Sequence, residues 1–438
     1  MIDIKFTPEK NGILVDEGNT FDVLFRASST ENDSTKKTQR LPLNLSIVID
    51  RSGSMQGQPL DEAKKCASML VDRMGEKDRL SIVMYGADAE VLIPSQPVTD
   101  KRKFKSQIDA IYASGMTALY DGWSLGAEEV AKNSHSNSIS RVLLLSDGQA
   151  NRGLVDEDVI ATHCQKMAEI GVSTSTYGLS GYFNENLMAG MASAGQGQAH
   201  YGQTAEDLLD PFQEEFDLLE AILSRRIRLR ILPEKGVSFE ILNGYSQDGE
   251  GRFILPDLAF GADVWALIQI KINSKICSQQ PETKLKILSA YIDYLDHDGV
   301  DQRSETAKLI IDLCTREQFA CLELDETVKS RVTEVRAATL QEVAQVAARS
   351  ENWAKVDQTM LALAELGEEN EWIKASVQRL KAYSTRRQRE SFSKETLYKS
   401  RKMKQRSVAK NEEIFSSRSE YGRPSYLRRK MEQGKREL

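Results

Sequence analysis

The fold is decided at residues 45–54, which read LSIVIDRSGS. The first five residues are almost all apolar. Such a run is typical of a strand buried on both faces of a sheet, because a half-exposed strand alternates polar and apolar side chains. Asp50, Ser52 and Ser54 follow at alternate positions. Side chains two residues apart in an extended loop point the same way, so one carboxylate and two hydroxyls can converge on one ion.

The chain around this stretch alternates apolar runs with amphipathic helical windows from residue 41 to residue 224. Right-handed crossovers wind such a chain into a doubly wound, mainly parallel sheet with helices on both faces. The sequence therefore predicts an α/β domain at 41–224. The expected strands are 43–49, 79–85, 90–93, 141–145, 172–177 and 198–202, and the expected helices are 59–74, 101–112, 119–132, 157–170, 184–194 and 205–223.

Two further loops carry oxygen ligands at predicted element ends. Thr117 lies in the run SGMTAL at 114–119, where a helix is expected to begin, and Asp147 follows the apolar strand at 141–145. In an open parallel sheet, ligands bind beyond the carboxyl ends of the strands, where the strand order reverses. The sequence therefore predicts one metal site with five ligand residues: Asp50, Ser52, Ser54, Thr117 and Asp147.

Oxygen ligands alone are typical of a hard cation, so Mg²⁺ is the expected metal, with Mn²⁺ or Ca²⁺ as substitutes. Two carboxylates and three neutral hydroxyls leave such an ion electrophilic toward an outside anion. The Asp or Glu of a partner protein is the natural sixth ligand. Each loop alone is better explained as a turn or a helix cap, but the three loops together favour the metal site.

Different patterns flank the α/β domain. Residues 1–40 contain short strands, and 225–315 read as six more, which favours an antiparallel β-sandwich that the N-terminal strands join. Residues 325–383 are rich in Ala, Leu, Glu and Gln and predict a short helical bundle. Apolar residues are sparse from 384 to 438, where we expect a basic, flexible tail.

The formal net charge of -7 is unevenly distributed, since residues 379–438 hold 19 Lys and Arg against 7 Asp and Glu. A tail of this kind is suited to nucleic acid, to an anionic membrane surface or to an acidic protein surface. Docking to protein is the preferred interpretation, with nucleic acid as the alternative. The sequence does not fix the oligomeric state.

Several classes of protein are disfavoured. No run approaches the roughly 18 apolar residues of a membrane helix, and the first ten residues lack the apolar core of a secretion signal, so we expect no membrane insertion and a cytoplasmic location. The five cysteines are too few and too scattered for a disulfide framework. No histidine lies near Cys314 and Cys321, which disfavours a zinc site there.

Catalytic motifs are also missing. The four histidines are isolated, no glycine-rich phosphate loop with a lysine occurs, and no nucleophile elbow is present. The acidic run from Asp296 to Asp301 lacks the bidentate Glu of a calcium loop and is expected to be a hairpin turn. We therefore expect a protein that is not an enzyme.

At the five predicted ligands, the chain resembles the von Willebrand factor A family, which has the integrin-I-like fold. The Asp-x-Ser-x-Ser run at Asp50, the threonine loop at Thr117 and the Ser-Asp-Gly at Asp147 match its metal-ion-dependent adhesion site in type, order and spacing. The resemblance implies that the serines and the threonine bind the metal directly, that the aspartates bind it directly or through water, and that a partner's Asp or Glu completes the shell.

The wider layout is similar to bacterial cytoplasmic members of this family and, more loosely, to inter-alpha-trypsin inhibitor heavy chains. That similarity implies work in a complex with a kinase, a phosphatase or an ATPase. The leading hypothesis is a magnesium-dependent adaptor between proteins. A metal-dependent hydrolase and a nucleic-acid-associated protein acting through the tail are the alternatives.

Overall fold

The computed structural model describes residues 2–29, 40–147, 150–179, 183–202, 209–274, 283–368, 370–405 and 408–409. The chain forms two compact units. Residues 38–221 make one unit, and the segments on either side of them, 1–37 and 222–438, together make the other. The first unit is therefore inserted in the sequence of the second.

Strands and helices are numbered here along the chain. The strands are β1 (Ile2–Pro8), β2 (Gly12–Leu14), β3 (Asn19–Ser29), β4 (Leu43–Asp50), β5 (Arg79–Tyr85), β6 (Ala89–Pro97), β7 (Ile139–Ser146), β8 (Val172–Leu179), β9 (Gln196–Gly202), β10 (Ile222–Pro233), β11 (Val237–Ile241), β12 (Phe253–Ile254), β13 (Leu258–Ala259), β14 (Ala262–Ile272), β15 (Lys284–Leu295), β16 (Asp301–Arg303), β17 (Ala307–Cys314) and β18 (Val408–Ala409). The helices are α1 (Gln58–Arg73), α2 (Lys101–Asp109), α3 (Leu119–Ala131), α4 (Glu157–Glu169), α5 (Glu185–Ala194), α6 (Leu209–Glu220), α7 (Arg316–Ala320), α8 (Glu326–Arg349), α9 (Trp353–Leu366), α10 (Glu371–Thr385) and α11 (Arg389–Gln405).

The inserted unit is built on a six-stranded sheet with the order β6-β5-β4-β7-β8-β9. Every neighbouring pair is parallel except β5 with β6. The chain passes from β4 to β5 on one side and later returns to β7 on the other side of β4, so the strand order reverses between β4 and β7. The carboxyl ends of these two strands therefore form the expected ligand crevice.

Strand β4 lies at the centre of this sheet, and all eight of its residues are buried. Helix α3 packs closely on it because glycines face the sheet: a Cβ at Gly126 would overlap Val48, and one at Gly122 would overlap the ring of Tyr85. This close packing covers a strand that could not remain in contact with water.

The other unit contains two sheets packed face to face. One has the order β1-β3-β14-β11, with β18 also pairing with β14; the other has the order β12-β10-β15-β17-β2, with β13 on β10 and β16 on β15. Strand β3 pairs with β14 over ten residues, from Asn19 with Ile272 to Ser28 with Asp263. Apolar side chains from both sheets form one core between them. The N-terminal strands are thus part of this sandwich, and the mixed α/β class with a flanking antiparallel sandwich and a C-terminal helical region is confirmed.

The boundary between helix and sandwich lies earlier than the sequence indicated. The helix expected at 205–223 ends at Glu220 and β10 begins at Ile222. The residues at 222–232 alternate buried and less buried positions, as a strand does. The acidic run after β15 forms the expected hairpin: the carboxylate of Asp296 accepts hydrogen bonds from the backbone N–H groups of Asp298 and Val300, before β16 pairs back on β15.

The expectation of a flexible tail from residue 384 is wrong for its first part. Helix α11 packs against α8, with Phe392 and Met403 fully buried. Thr396 and Ser400 complete the buried face between them, and each hydroxyl donates to a carbonyl of its own helix. Because hydroxyl groups satisfied in this way can enter a core, a count of apolar residues misses this face. Residues 406–407 and 410–438 lie outside the described part of the chain.

Among the described helices, none combines the length and the apolar character that a membrane crossing requires.

Candidate functional site

The candidate site lies where the sheet order reverses. Asp50 is the last residue of β4, and Ser146 is the last residue of β7, with Asp147 directly after it. A single turn of 3₁₀ helix at Gly53–Met55 follows Ser52 in the loop after β4. The sequence-predicted residues of the first and third loops therefore meet at one edge of the sheet.

Asp50 is fully buried and held on both carboxylate oxygens. Its Oδ1 accepts a hydrogen bond from the backbone N–H of Ser52 at 2.8 Å, and its Oδ2 accepts from the hydroxyls of Ser146 at 2.7 Å and Tyr85 at 3.3 Å. Burial raises the pKa of Asp50, and these hydrogen bonds only partly oppose that rise. A buried carboxylate whose hydrogen-bond donors are all neutral is stabilised by a cation placed next to it.

Ser52 and Ser54 connect the two carboxylates. Their hydroxyl oxygens lie 3.1 Å apart, and Ser54 donates to Oδ1 of Asp147 at 2.9 Å. Burial raises the pKa of Asp147 to about 6, the hydrogen bond from Ser54 opposes this, and the charge of Asp50 adds to it. Four of the five predicted ligands thus form one connected group.

The loop that carries Thr117 is joined to this group through its backbone. The N–H of Gly53 donates to the carbonyl of Gly115 at 3.0 Å, and the N–H of Ser114 donates to the carbonyl of Arg51 at 2.6 Å. Gly115 has a φ of +88°, and a Cβ there would lie 2.9 Å from the backbone nitrogen of Ala87. Only glycine combines this conformation with so close an approach, so the loop is fixed beside the serines.

Thr117 itself is nearly buried, and within the described residues its hydroxyl makes no hydrogen bond. Its backbone N–H donates to the side chain of Asn151 at 3.0 Å, and its carbonyl accepts from the N–H of Asn151 at 3.2 Å. The alternative role of Thr117 as a helix cap is not seen, because Ala118 occupies the capping position without a side-chain hydrogen bond. Its hydroxyl is therefore available to a ligand.

This donor set fits a hard divalent cation. It offers carboxylate and hydroxyl oxygens only, and two carboxylates that disfavour each other's charge would both be stabilised by an ion between them. Across the described residues, no group of three or more His, Cys, Asp and Glu side chains is arranged to bind a metal. Cys314 and Cys321 are free thiols.

Three contacts of the site were not assigned from sequence. Ser146 of the Ser-Asp-Gly run donates a hydrogen bond of 2.7 Å to Asp50, a contact that the sequence does not indicate. Tyr85 ends the strand next to β4 and pairs with Asp50 in register, a contact that strand adjacency could have indicated. Asn151 carries no signal in the sequence. Gln149, which follows the predicted ligand Asp147 by two positions and is expected to contribute to specificity, lies outside the described residues.

Arg51 lies between the predicted ligands Asp50 and Ser52 and is expected from sequence to point away from them into solvent, but the structure differs. It is partly buried, its guanidinium lies over the ring of Tyr112 at 5.6 Å, and its Nε is buried without a hydrogen-bond partner in the described structure.

Comparison with known proteins gives the family of the inserted unit. Residues 44–215 match the family model of the von Willebrand factor type A domain. The chain is 31% identical over 202 residues to the uncharacterized protein sll0103 of Synechocystis sp., covering 45% of this chain and 46% of that protein. It is 28% identical over 187 residues to human inter-alpha-trypsin inhibitor heavy chain H3, covering 40% of this chain and 21% of that protein. The chain thus spans less than half the length of these curated relatives.

Solved structures share the fold over a larger part of the chain. The ArnB paralog VWA2 from Sulfolobus acidocaldarius has a TM-score of 0.63 at 16% identity and covers 92% of this chain and 98% of its own. A von Willebrand factor type A protein from Catenulispora acidiphila has a TM-score of 0.67 at 14% identity, covering 86% and 89%. At these identities the likeness concerns fold alone. Together with the family match, it identifies residues 44–215 as a von Willebrand factor type A domain.

Proposed function

We propose that the α/β unit binds one Mg²⁺ ion and that this ion binds the carboxylate of a partner protein, so that the chain works as an adaptor and not as an enzyme. The observation that carries the proposal is the connected group of Asp50, Ser52, Ser54 and Asp147, which lies at the strand-order reversal with Thr117 beside it. The resemblance of these residues to a metal-ion-dependent adhesion site supports the same reading.

The chain's own residues have separate roles in this proposal. Ser52, Ser54 and Thr117 would provide neutral ligands, and Asp50 and Asp147 would provide the negative charge. The ion supplies an electrophilic position that attracts a carboxylate from outside. Ser146 and Tyr85 fix the orientation of Asp50, in the way that outer-shell groups fix metal ligands in other proteins.

A hydrolase would need a further acid or base beside the ligands. Apart from Asp147, which is already used as a ligand, the titratable side chain described beside Asp50 is Tyr85, which is fully buried and donates to Asp50, and burial raises its pKa well above the usual range. Turnover of phosphoesters or peptides that requires the metal and is lost in Ser52→Ala would favour this alternative. Binding to nucleic acid through the tail, a cytoplasmic location and a bacterial complex with a kinase, phosphatase or ATPase stay predictions.

The test is direct metal titration followed by partner capture. Calorimetry with Mg²⁺ and Mn²⁺ should give one site in the wild type, lost in Asp50→Ala and in Ser52→Ala but kept in Ser106→Ala, which alters an exposed serine of α2. Partner proteins held by the wild type in Mg²⁺ should be released by EDTA. Equal metal binding in all four proteins would contradict the site, and capture unaffected by EDTA would contradict the bridging role.

A further inference from the structure

The exposed apolar residues of the inserted unit are concentrated at one edge. Among its described residues, the large hydrophobic side chains that are exposed are Tyr112, Met116, Val155, Val159 and Ile170. Tyr112 and Met116 precede α3, and Val155 and Val159 lie at the start of α4. In a parallel α/β fold the helices begin at the carboxyl edge of the sheet, so these four lie on the edge that carries the metal site. Ile170 follows the end of α4, at the opposite edge.

Direct contacts connect these segments around the predicted ligands. The Thr117 loop and the loop before α4 are joined by the two hydrogen bonds between Thr117 and Asn151. Gly153 lies against the carboxylate of Asp121 at the start of α3, where a Cβ would be 3.4 Å from the nearer oxygen. We call the four exposed side chains Tyr112, Met116, Val155 and Val159 the apolar rim. Met116 is one residue from Thr117, so the rim begins directly beside the ligand set.

Arg51 adds a positive charge to this rim. Its guanidinium stacks on Tyr112, and in the described structure it forms no ion pair with any carboxylate. Arg152, on the neighbouring loop, is by contrast already paired with Asp88 at 2.9 Å. An arginine that is oriented by an aromatic ring and has no acidic partner among the described residues is suited to a carboxylate from another molecule.

From these observations we infer that the site selects an extended acidic segment of a partner protein, in which the metal-binding Asp or Glu has a large apolar neighbour for the apolar rim and a second acidic residue for Arg51. The inference rests on the proposed metal-bridging function and adds the chemistry of the partner. Exposed apolar patches beside polar sites commonly mark binding surfaces. The charge of the ion and that of Arg51 both favour an acidic occupant over a basic one.

The experiment is selection from a random peptide library displayed against the full chain in Mg²⁺. We expect enriched peptides to combine Asp or Glu with Phe, Leu, Ile or Met and with a second acid. Synthetic peptides then separate the contribution of the apolar neighbour from that of the second acidic residue. Replacing the apolar neighbour by Ser should weaken binding to the wild type about fivefold or more, which corresponds to about 1 kcal/mol, and this loss should shrink in Met116→Ser.

Matched variants complete the test. Met116→Ser should weaken binding of the parent peptide about fivefold, whereas Ile170→Ser, the same kind of change at the opposite edge, should leave it unchanged. Arg51→Gln should remove the preference for the second acid, and Arg102→Gln, at an exposed arginine of α2, should keep it. Thermal unfolding of each variant checks that the fold is intact.

The outcomes distinguish failure of this inference from failure of the proposed metal-bridging function. Peptides that need Mg²⁺ but are indifferent to apolar neighbours and to Met116→Ser would overturn this inference and leave the proposed function standing. Peptides that bind equally in EDTA and to Asp50→Ala would overturn the proposed function. A library that yields only basic peptides, or no peptide whose binding needs Mg²⁺, would also overturn the inference.

Discussion

Glu215 gives a quantitative test of how the α/β unit is held together. The side chain is buried on α6, and its carboxylate accepts hydrogen bonds from Arg141 at 2.7 Å and from the hydroxyls of Ser175 and Tyr177. The Nε2 of His200 lies 2.9 Å from the same carboxylate. These partners come from β7, β8 and β9, so a single carboxylate connects the last helix of the unit to three strands.

The expected cost of removing this charge follows from two observations. Burial on its own would raise the pKa of Glu215, but His200, Arg141 and Ser175 outweigh it and lower the pKa from 4.5 to about 2. That difference corresponds to about 3 kcal/mol in favour of the charged form. Glu215→Gln would also break the buried ion pair with Arg141, and breaking such a pair typically costs about 3–5 kcal/mol. We therefore expect Glu215→Gln to lower the free energy of unfolding of this unit by at least about 3 kcal/mol.

The same reasoning predicts a pH dependence with a definite sign. A carboxyl group whose pKa is lowered by folding stabilises the fold above its unfolded-state pKa, and this contribution is lost as the pH falls through the folded-state value. The wild type should therefore lose this stabilisation between about pH 4.5 and pH 2, and Glu215→Gln should not. Asp78, whose pKa is lowered because its hydrogen bonds with Arg40 and two backbone N–H groups outweigh burial, contributes in the same direction.

Hydrogen exchange at increasing urea is the suitable assay, because a global unfolding curve would mix two compact units. Mass spectrometry of peptides from β7 and β8 reports the stability of the α/β unit alone. Glu128→Gln, the same substitution at an exposed position of α3, is the control. A loss below about 1 kcal/mol for Glu215→Gln, or a loss equal to that of the control, would refute the reasoning.

Further predictions concern packing, the outer part of the metal site and the C-terminal helix. Ser146→Ala removes the 2.7 Å hydrogen bond to Asp50 and should weaken Mn²⁺ binding about 10–100-fold, measured by calorimetry, with the fold retained. An unchanged affinity would mean that other contacts orient Asp50. Gly126→Ala would place a methyl group against Val48 of β4 and should lower the free energy of unfolding by about 1–3 kcal/mol in the exchange assay. Its control is Gly190→Ala in α5, where a Cβ meets nothing within 4 Å, and this change should be neutral or stabilising. Similar values for the two variants would contradict the close packing of α3. Phe392→Ala should destabilise the helical region by about 3–5 kcal/mol and expose α11 to protease, and resistance equal to the wild type would argue against its packing on α8.

The sequence indicated the centre of the fold because its signals there are local. The apolar run of β4, the following Asp50 and the order of the three loops can all be read within a few residues. The reversal of strand order then follows from general rules of parallel sheets. The family resemblance and the family match agree on the same region of the chain.

What the sequence did not indicate depends on contacts between distant residues. Arg141 and Glu215 are 74 positions apart, and nothing local to either one names the other. Helix α11 was missed for a different reason, since Thr396 and Ser400 are buried hydroxyl residues that satisfy themselves within the helix. Such positions read as polar surface in a hydropathy pattern although they belong to a core.

In the proposed site, five oxygen-bearing side chains from three loops bind one divalent ion with a position left for a partner. The most direct measurement is a crystal structure grown with Mn²⁺ and a short acidic peptide, with the metal located by its anomalous scattering. We expect one Mn²⁺ beside Ser52, Ser54 and Thr117, with Asp50 and Asp147 bound directly or through water and the peptide carboxylate in the remaining position. Absence of Mn²⁺ from this edge of the sheet, or an ion there with the peptide bound elsewhere, would contradict it.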